Sequence, residues 1–95
     1  MKKLFISQPM RDKTTDEIKA QRTKMGEWFP NMEIIDSFFT DVTHETKPLW
    51  YLGESLKLLS QADYVYFSEG WEKYRGCKIE HECAEAYGID ILTIE

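Results

Sequence analysis

Four short runs of apolar, strand-forming residues, separated by segments with helical signals, constrain this chain more than any other feature. The runs cover residues 4–6, 32–35, 64–67 and 89–94. The strongest helical signal lies between the second and third runs, where one helix face carries Leu49, Leu52, Leu56 and Leu59. Because strands that alternate with helices pair in parallel, the order β-α-β-α-β-α-β predicts an α/β fold.

Local residues indicate where the helices begin and end. Thr14 and Glu17 have the spacing of a capping box at the start of the first helix. Pro48 suits the first turn of the second helix. A third helix is predicted from about Cys77 to Tyr87 and is ended by Gly88. The expected architecture is a flavodoxin- or Rossmann-like three-layer sandwich, with a four-stranded parallel sheet and about three helices.

The size and charge of the chain exclude several classes of protein. With 95 residues it is long enough for one hydrophobic core, so we expect a single domain, residues 1–95. A net charge of −5 without a dominant basic run disfavours nucleic acid as a partner. No segment approaches the ~20 apolar residues of a membrane span, and the first apolar run is too short for a signal peptide. We therefore expect a cytoplasmic protein without a membrane partner.

Parallel sheets bind their ligands beyond the carboxyl ends of their strands. In this chain those ends fall at residues 7–11, 36–39 and 68–76. The residues that we expect to bind a substrate there are Ser7, Gln8, Pro9, Met10, Arg11, Glu69, Gly70, Trp71, Arg75 and Gly76.

Two carboxylates are candidates for catalysis. Glu80 follows Gly76 by about one turn, where the positive end of a helix favours the ionised form that a nucleophile needs. Asp63 begins the third strand, and two carboxylates can divide attack and proton handling at a glycosidic bond. The alternatives are a solvent-facing glutamate and an ordinary turn aspartate. Glu69 is a further candidate for the second carboxylate.

Other residues in these loops have both a functional and a structural interpretation. Arg11 and Lys13 either clamp a phosphate or lie in a solvated loop. Aromatic loop residues stack on a base or pack against the core; we favour packing for Phe38 or Phe39 and keep Trp71 as a cleft residue.

We expect neither a cofactor nor a metal. The chain has no GxGxxG motif and no Walker P-loop, which disfavours dinucleotide and nucleoside-triphosphate chemistry of those types. Cys77 and His81 are one helical turn apart, but a tetrahedral zinc site needs more ligands. Cys83 lies on a different side of the predicted helix from Cys77, so both cysteines are expected to be free thiols.

Three stretches of the sequence form a recognisable pattern: KLFISQPM at residues 3–10, ADYVYF at 62–67, and RGCKIE at 75–80 followed by Ala84. They resemble the opening strand and turn, the third strand and the Gly-Thr-x-x-Glu helix start of the nucleoside 2-deoxyribosyltransferases. With Gly70-Trp71-Glu72 included, the sequence looks most like a family of small uncharacterised phage and bacterial proteins related to these enzymes.

The resemblance implies a nucleoside or nucleotide as substrate and a homodimer or higher homo-oligomer. It gives Glu80 the role of the nucleophile that attacks C1′ of the sugar, and Asp63 that of a binding and protonating carboxylate. It puts Arg11 near the phosphate-binding arginine of the related deoxynucleoside-monophosphate N-glycosidases. Gln8 departs from the glycine of many members, and Tyr74 from an additional acid.

The sequence leaves three functions open. The first is an N-glycosidase or deoxyribosyltransferase acting through Glu80. The chain stops at Glu95 without the C-terminal segment of the transferases, which favours hydrolysis over transfer. It also favours the second function, a nucleotide-binding module without chemistry. The third is a protein–protein interaction domain, in which the anchors are Trp50, Tyr51, Phe38 and Phe39.

Overall fold

The computed structural model describes residues 1–9, 13–37 and 47–94. Within these ranges the elements are β1 (Lys2–Ser7), α1 (Thr15–Glu27), β2 (Met32–Ile34), α2 (Pro48–Leu59), β3 (Tyr64–Phe67), α3 (Arg75–Ala86) and β4 (Asp90–Leu92). A short 3-10 turn, Trp71–Lys73, joins β3 to α3. The described strands pair in parallel in the order β2-β1-β3-β4. The predicted α/β fold, with a four-stranded parallel sheet and three helices, is therefore confirmed.

Strand β1 lies inside the sheet, and its side chains alternate between two cores. Ile6 packs in the same core as Met25 of α1. Phe5 points to the other face, where it packs with Leu59 of α2 and Ala84 of α3. Helices therefore cover both faces of the sheet. This explains why its strands read as continuous apolar runs rather than as alternating ones.

The helices begin close to where local signals predict. Thr14 Oγ1 accepts a hydrogen bond from the Glu17 backbone N–H at 3.1 Å, and the reciprocal bond completes the capping box. Pro48 lies in the first turn of α2, but Leu49 is 75% exposed, so the buried face of α2 starts later than the leucine spacing predicts. Among the described residues, no helix has the length and apolar character to cross a bilayer.

The strand order creates an opening at the carboxyl ends of β1 and β3. Strand β2 lies on one side of β1, and β3 lies on the other. The segments that follow β1 and β3 therefore leave the sheet in different directions. The point where the strand order reverses in this way is the topological switch point, and ligands of parallel sheets bind there. After β3 the chain turns at Gly70, whose φ of 87° is in the left-handed region that glycine tolerates best.

Candidate functional site

Glu80 lies in α3 with its side chain buried at the carboxyl end of β1. The residue is 7% exposed, and Ser7 Oγ donates a hydrogen bond of 2.8 Å to Glu80 Oε1. Ser7 is the last residue of β1 and follows Phe5 by two positions, so its side chain points to the α3 face of the sheet. Two predicted site residues are therefore in direct contact, and Glu80 is not the solvent-facing glutamate of the alternative interpretation.

The burial of Glu80 changes its acid–base behaviour. Burial raises the pKa of this carboxyl from 4.5 to about 7, although the hydrogen bond from Ser7 and the positive charge of Arg22 act in the opposite direction. Desolvation therefore outweighs the helix N-terminus that was expected to keep Glu80 ionised. Since this pKa lies near neutral pH, Glu80 can both accept and donate a proton there.

Arg22 of α1 belongs to the same site, although it is not among the site residues predicted from the sequence. Its Nε donates a hydrogen bond of 3.3 Å to Gln8 Oε1. Its Nη1 and Nη2 atoms are buried and have no hydrogen-bond partner among the described residues. Burial lowers the pKa of the guanidinium, and the nearby carboxyl groups of Asp36 and Glu80 raise it. The site therefore holds a buried cation with unused donors.

Gln8 fixes the position of Arg22. Its side chain is buried, and Nε2 donates to the Ile18 carbonyl oxygen and to Gln21 Oε1, each at 3.0 Å. These two donations leave Oε1 as the atom that accepts from Arg22. The predicted site residue Gln8 thus connects the end of β1 to α1 rather than lying free in a loop.

Cys77 completes the buried group as a neutral thiol. Burial raises its pKa to about 11; a hydrogen bond with Ser7 lowers the pKa, and the charge of Glu80 raises it. A thiol that stays protonated at neutral pH is a poor nucleophile. Cys77 and Cys83 are both free, as the sequence predicts.

Asp63 lies at the opposite end of the sheet from Glu80. Its Oδ2 accepts a hydrogen bond of 2.8 Å from the Lys3 backbone N–H, and its own N–H donates to the Lys3 carbonyl at 2.9 Å. Lys3 precedes Ser7 by four residues of extended strand, or about 13 Å. The expectation that Asp63 works beside Glu80 is therefore corrected: Asp63 binds the amino end of β1.

A cleft of about 430 Å³ opens on the α1 side of the sheet at the end of β3. Of the predicted substrate-binding residues, Pro9, Glu69 and Gly70 line it, together with Lys13 and Tyr74. Glu80 is not among its lining residues. The cleft and the buried group around Glu80 are therefore neighbouring but separate features of the carboxyl edge.

Trp71 does not line this cleft. Its indole stacks on the His81 ring, with centroids 4.2 Å apart and planes at 8°, and it also contacts Phe67. The 3-10 turn folds Trp71 onto α3, so packing explains this side chain and the expected cleft role is corrected. His81 Nδ1 lies 2.9 Å from a carboxylate oxygen of Glu85. No group of three or more metal-binding side chains occurs within residues 1–9, 13–37 and 47–94.

The remaining predicted site residues fall into two groups. Arg75 and Gly76 form the first turn of α3, which begins two residues earlier than predicted, so they are helical rather than part of a loop. A Cβ added to Gly76 would meet no described atom within 4 Å. The predictions for Met10 and Arg11, and those for Phe38 and Phe39, lie outside the described residues.

Comparison with known protein families gives a match. A family model described as "Domain of unknown function (DUF4406)" matches residues 3–93, from β1 to the end of β4. No curated protein matches the chain.

Proposed function

The chain belongs to the DUF4406 family, and from this premise we propose that it is an N-glycosidase or deoxyribosyltransferase for a nucleoside or nucleoside 5′-monophosphate. The observation that carries the proposal is the buried carboxyl of Glu80, which Ser7 binds at the switch point of the sheet. The resemblance of residues 75–80 to the helix start of the nucleoside 2-deoxyribosyltransferases gives this carboxyl the role of nucleophile.

In the proposed reaction, an ionised carboxylate oxygen of Glu80 bonds to C1′ of the sugar while the C1′–N bond breaks. The base leaves with the bonding electron pair and takes a proton from solvent. Water then attacks C1′, loses a proton to solvent and releases the Glu80 carboxylate, which completes hydrolysis. Transfer follows the same course when a second nucleobase replaces water.

Ser7 and Arg22 support the ionised form of the nucleophile. Burial favours protonated Glu80, whereas the Ser7 hydroxyl and the Arg22 charge both lower its pKa. Only the ionised carboxylate attacks C1′, so we expect the rate to rise with pH through about 7 and then to level off.

A product assay tests this proposal. The protein is incubated with deoxynucleosides, ribonucleosides and their 5′-monophosphates, and free base is measured by chromatography. We expect release by the wild type, none by Glu80→Gln, and wild-type release by Glu82→Gln, whose exposed side chain lies on the same helix. Trapping a Glu80 adduct with a 2-fluoro substrate analogue supports covalent catalysis. Wild-type turnover by Glu80→Gln contradicts the mechanism.

A second candidate function is a nucleotide-binding module that does not react with its ligand. The observation in its favour is that Glu80 does not line the cleft of about 430 Å³. Such a module retains its ligand intact, and its affinity is insensitive to Glu80→Gln. Recovery of bound, unmodified nucleotide, with no free base, favours this function over the first.

A homodimer is also part of the proposal. A domain of this length buries only about 60–65% of its unfolded surface, so association would add to a thin stability margin. The start of α2 also exposes Leu49. Sedimentation velocity over a range of concentrations tests this, and a monomer at the highest concentration contradicts it.

A further inference from the structure

The cleft beside β3 is positively charged although the protein is acidic. Lys13, Lys24 and Lys73 line it, and among the described residues of its wall Glu69 is the one carboxylate. The whole chain has a net charge of −5. The three lysines come from three segments: the residues before α1, α1 itself and the 3-10 turn after β3. Their convergence on one opening raises the local positive potential and favours an anion.

Aromatic side chains form another part of the cleft wall. Trp28 and Tyr66 both line it and meet edge to face, with ring centroids 5.9 Å apart and planes at 86°. Trp28 is nevertheless 43% exposed. Burial and the charge of Glu69 raise the pKa of Tyr66, so its hydroxyl remains a hydrogen-bond donor at neutral pH. An accessible indole held by a neighbouring ring suits contact with a planar group.

We infer that this cleft binds a small phosphorylated ligand with a planar ring, its phosphate near the lysines and its ring against Trp28. Lysine binds phosphate as a compact point charge. The volume of about 430 Å³ lies in the range of small-molecule sites. The inference rests on the second candidate function, nucleotide binding, and does not require the proposed reaction, because Glu80 does not line the cleft.

Paired titrations test this inference. Calorimetry compares each of the four 2′-deoxynucleoside 5′-monophosphates with its nucleoside, and inorganic phosphate serves as a third probe. We expect at least one monophosphate to bind at least ten times more tightly than its nucleoside. Added salt should weaken the binding of that monophosphate. In the double variant Lys24→Ala/Lys73→Ala, we expect the monophosphate to bind no more tightly than its nucleoside. Lys57→Ala, which removes an exposed lysine of α2 paired with Glu54, should retain the tighter binding of the monophosphate.

Two further variants separate the ring, the phosphate and the chemistry. Trp28→Leu should weaken a monophosphate and its nucleoside by a similar factor, because both carry the ring. Glu80→Gln should still bind a monophosphate more tightly than its nucleoside, because Glu80 does not line the cleft that holds the phosphate. Equal affinities for phosphorylated and unphosphorylated ligands, an unchanged preference for the monophosphate in the double lysine variant, or no binding of any probe overturns the inference.

Discussion

The Ser7 hydroxyl and the Glu80 carboxyl, 73 positions apart in the sequence, are joined by a hydrogen bond of 2.8 Å. Ser7 ends β1 and Glu80 lies in α3. The bond therefore connects a strand inside the sheet to the helix that follows β3 and the 3-10 turn. Because the bond favours the charged carboxylate, it also moderates the effect of burial on Glu80.

Replacing Ser7 with alanine should raise the pKa of Glu80 above its wild-type value of about 7. The substitution removes a donor that favours the ionised form while burial remains. Carbon-13 NMR titration of the glutamate carboxyl groups measures the shift directly. Ser60→Ala, at the end of α2, should leave the titration of Glu80 unchanged. If Ser7→Ala also leaves it unchanged, the hydrogen bond does not control the protonation of Glu80.

Glu80→Gln should stabilise the protein above neutral pH. The folded-state pKa of Glu80 is about 7, raised from 4.5, so the stability that protonated Glu80 contributes is complete below about pH 4.5 and is lost as pH rises through 7. At ~1.4 kcal/mol per pH unit this loss is roughly 3 kcal/mol. Glutamine stays neutral at every pH, so the variant does not lose this stability.

Thermal unfolding at several pH values between 4 and 8 checks this prediction. The wild type and Glu82→Gln should both lose stability as pH rises through 7, whereas Glu80→Gln should lose less. Parallel curves for all three proteins would mean that Glu80 is not the source of the pH dependence.

Arg22→Met should change the free energy of unfolding little, because removing a buried guanidinium whose Nη1 and Nη2 lack described partners is favourable, whereas losing the donor to Gln8 Oε1 is unfavourable. It should also raise the pKa of Glu80, since the charge of Arg22 lowers that pKa. Denaturant unfolding and NMR titration measure the two effects. The same change at Arg75, an exposed residue of α3, controls for loss of charge in the unfolding experiment. A large loss of stability would assign Arg22 a structural role.

Gly76→Ala should stabilise the free protein by up to about 1 kcal/mol, because alanine favours the helix and the added methyl group meets no described atom. If the substrate contacts this first turn of α3, the same substitution should weaken its binding. Gly53→Ala in α2, where the space beside the glycine is also open, should stabilise without changing affinity. Full affinity in Gly76→Ala would show that the substrate does not contact the turn.

Local signals were sufficient to predict most elements of the fold. β3 has the predicted bounds, Tyr64–Phe67, because a run of strand-forming residues lies between two turns. The capping box of Thr14 and Glu17 defines the start of α1 because both of its hydrogen bonds are local. α3 begins two residues earlier than predicted because Gly76 suits both a loop and a helix start. Strand order depends on contacts between distant segments, which no local signal contains.

The candidate site was predictable only where its residues adjoin the end of an element. Ser7 is the last residue of β1, and Glu80 follows the predicted helix start at Gly76 by about one turn, whereas Arg22 lies in the middle of α1 and becomes notable only when α1 packs beside β1. One signal was present: Arg22 is four residues after Ile18 and three before Met25, both buried, so helical spacing puts a charge on the apolar face. Asp63 was misassigned because its position in the sequence does not reveal its distance from Glu80.

The position of β1 in the sheet has a consequence for biosynthesis. Leu4 of β1 pairs with Tyr64 of β3, so during synthesis β1 lacks one of its two neighbours until sixty further residues have been added. At typical elongation rates this interval is about 3–12 s. Pairing between strands so far apart in the sequence slows folding, and until it forms this edge of β1 is unpaired and exposed to pairing with other chains.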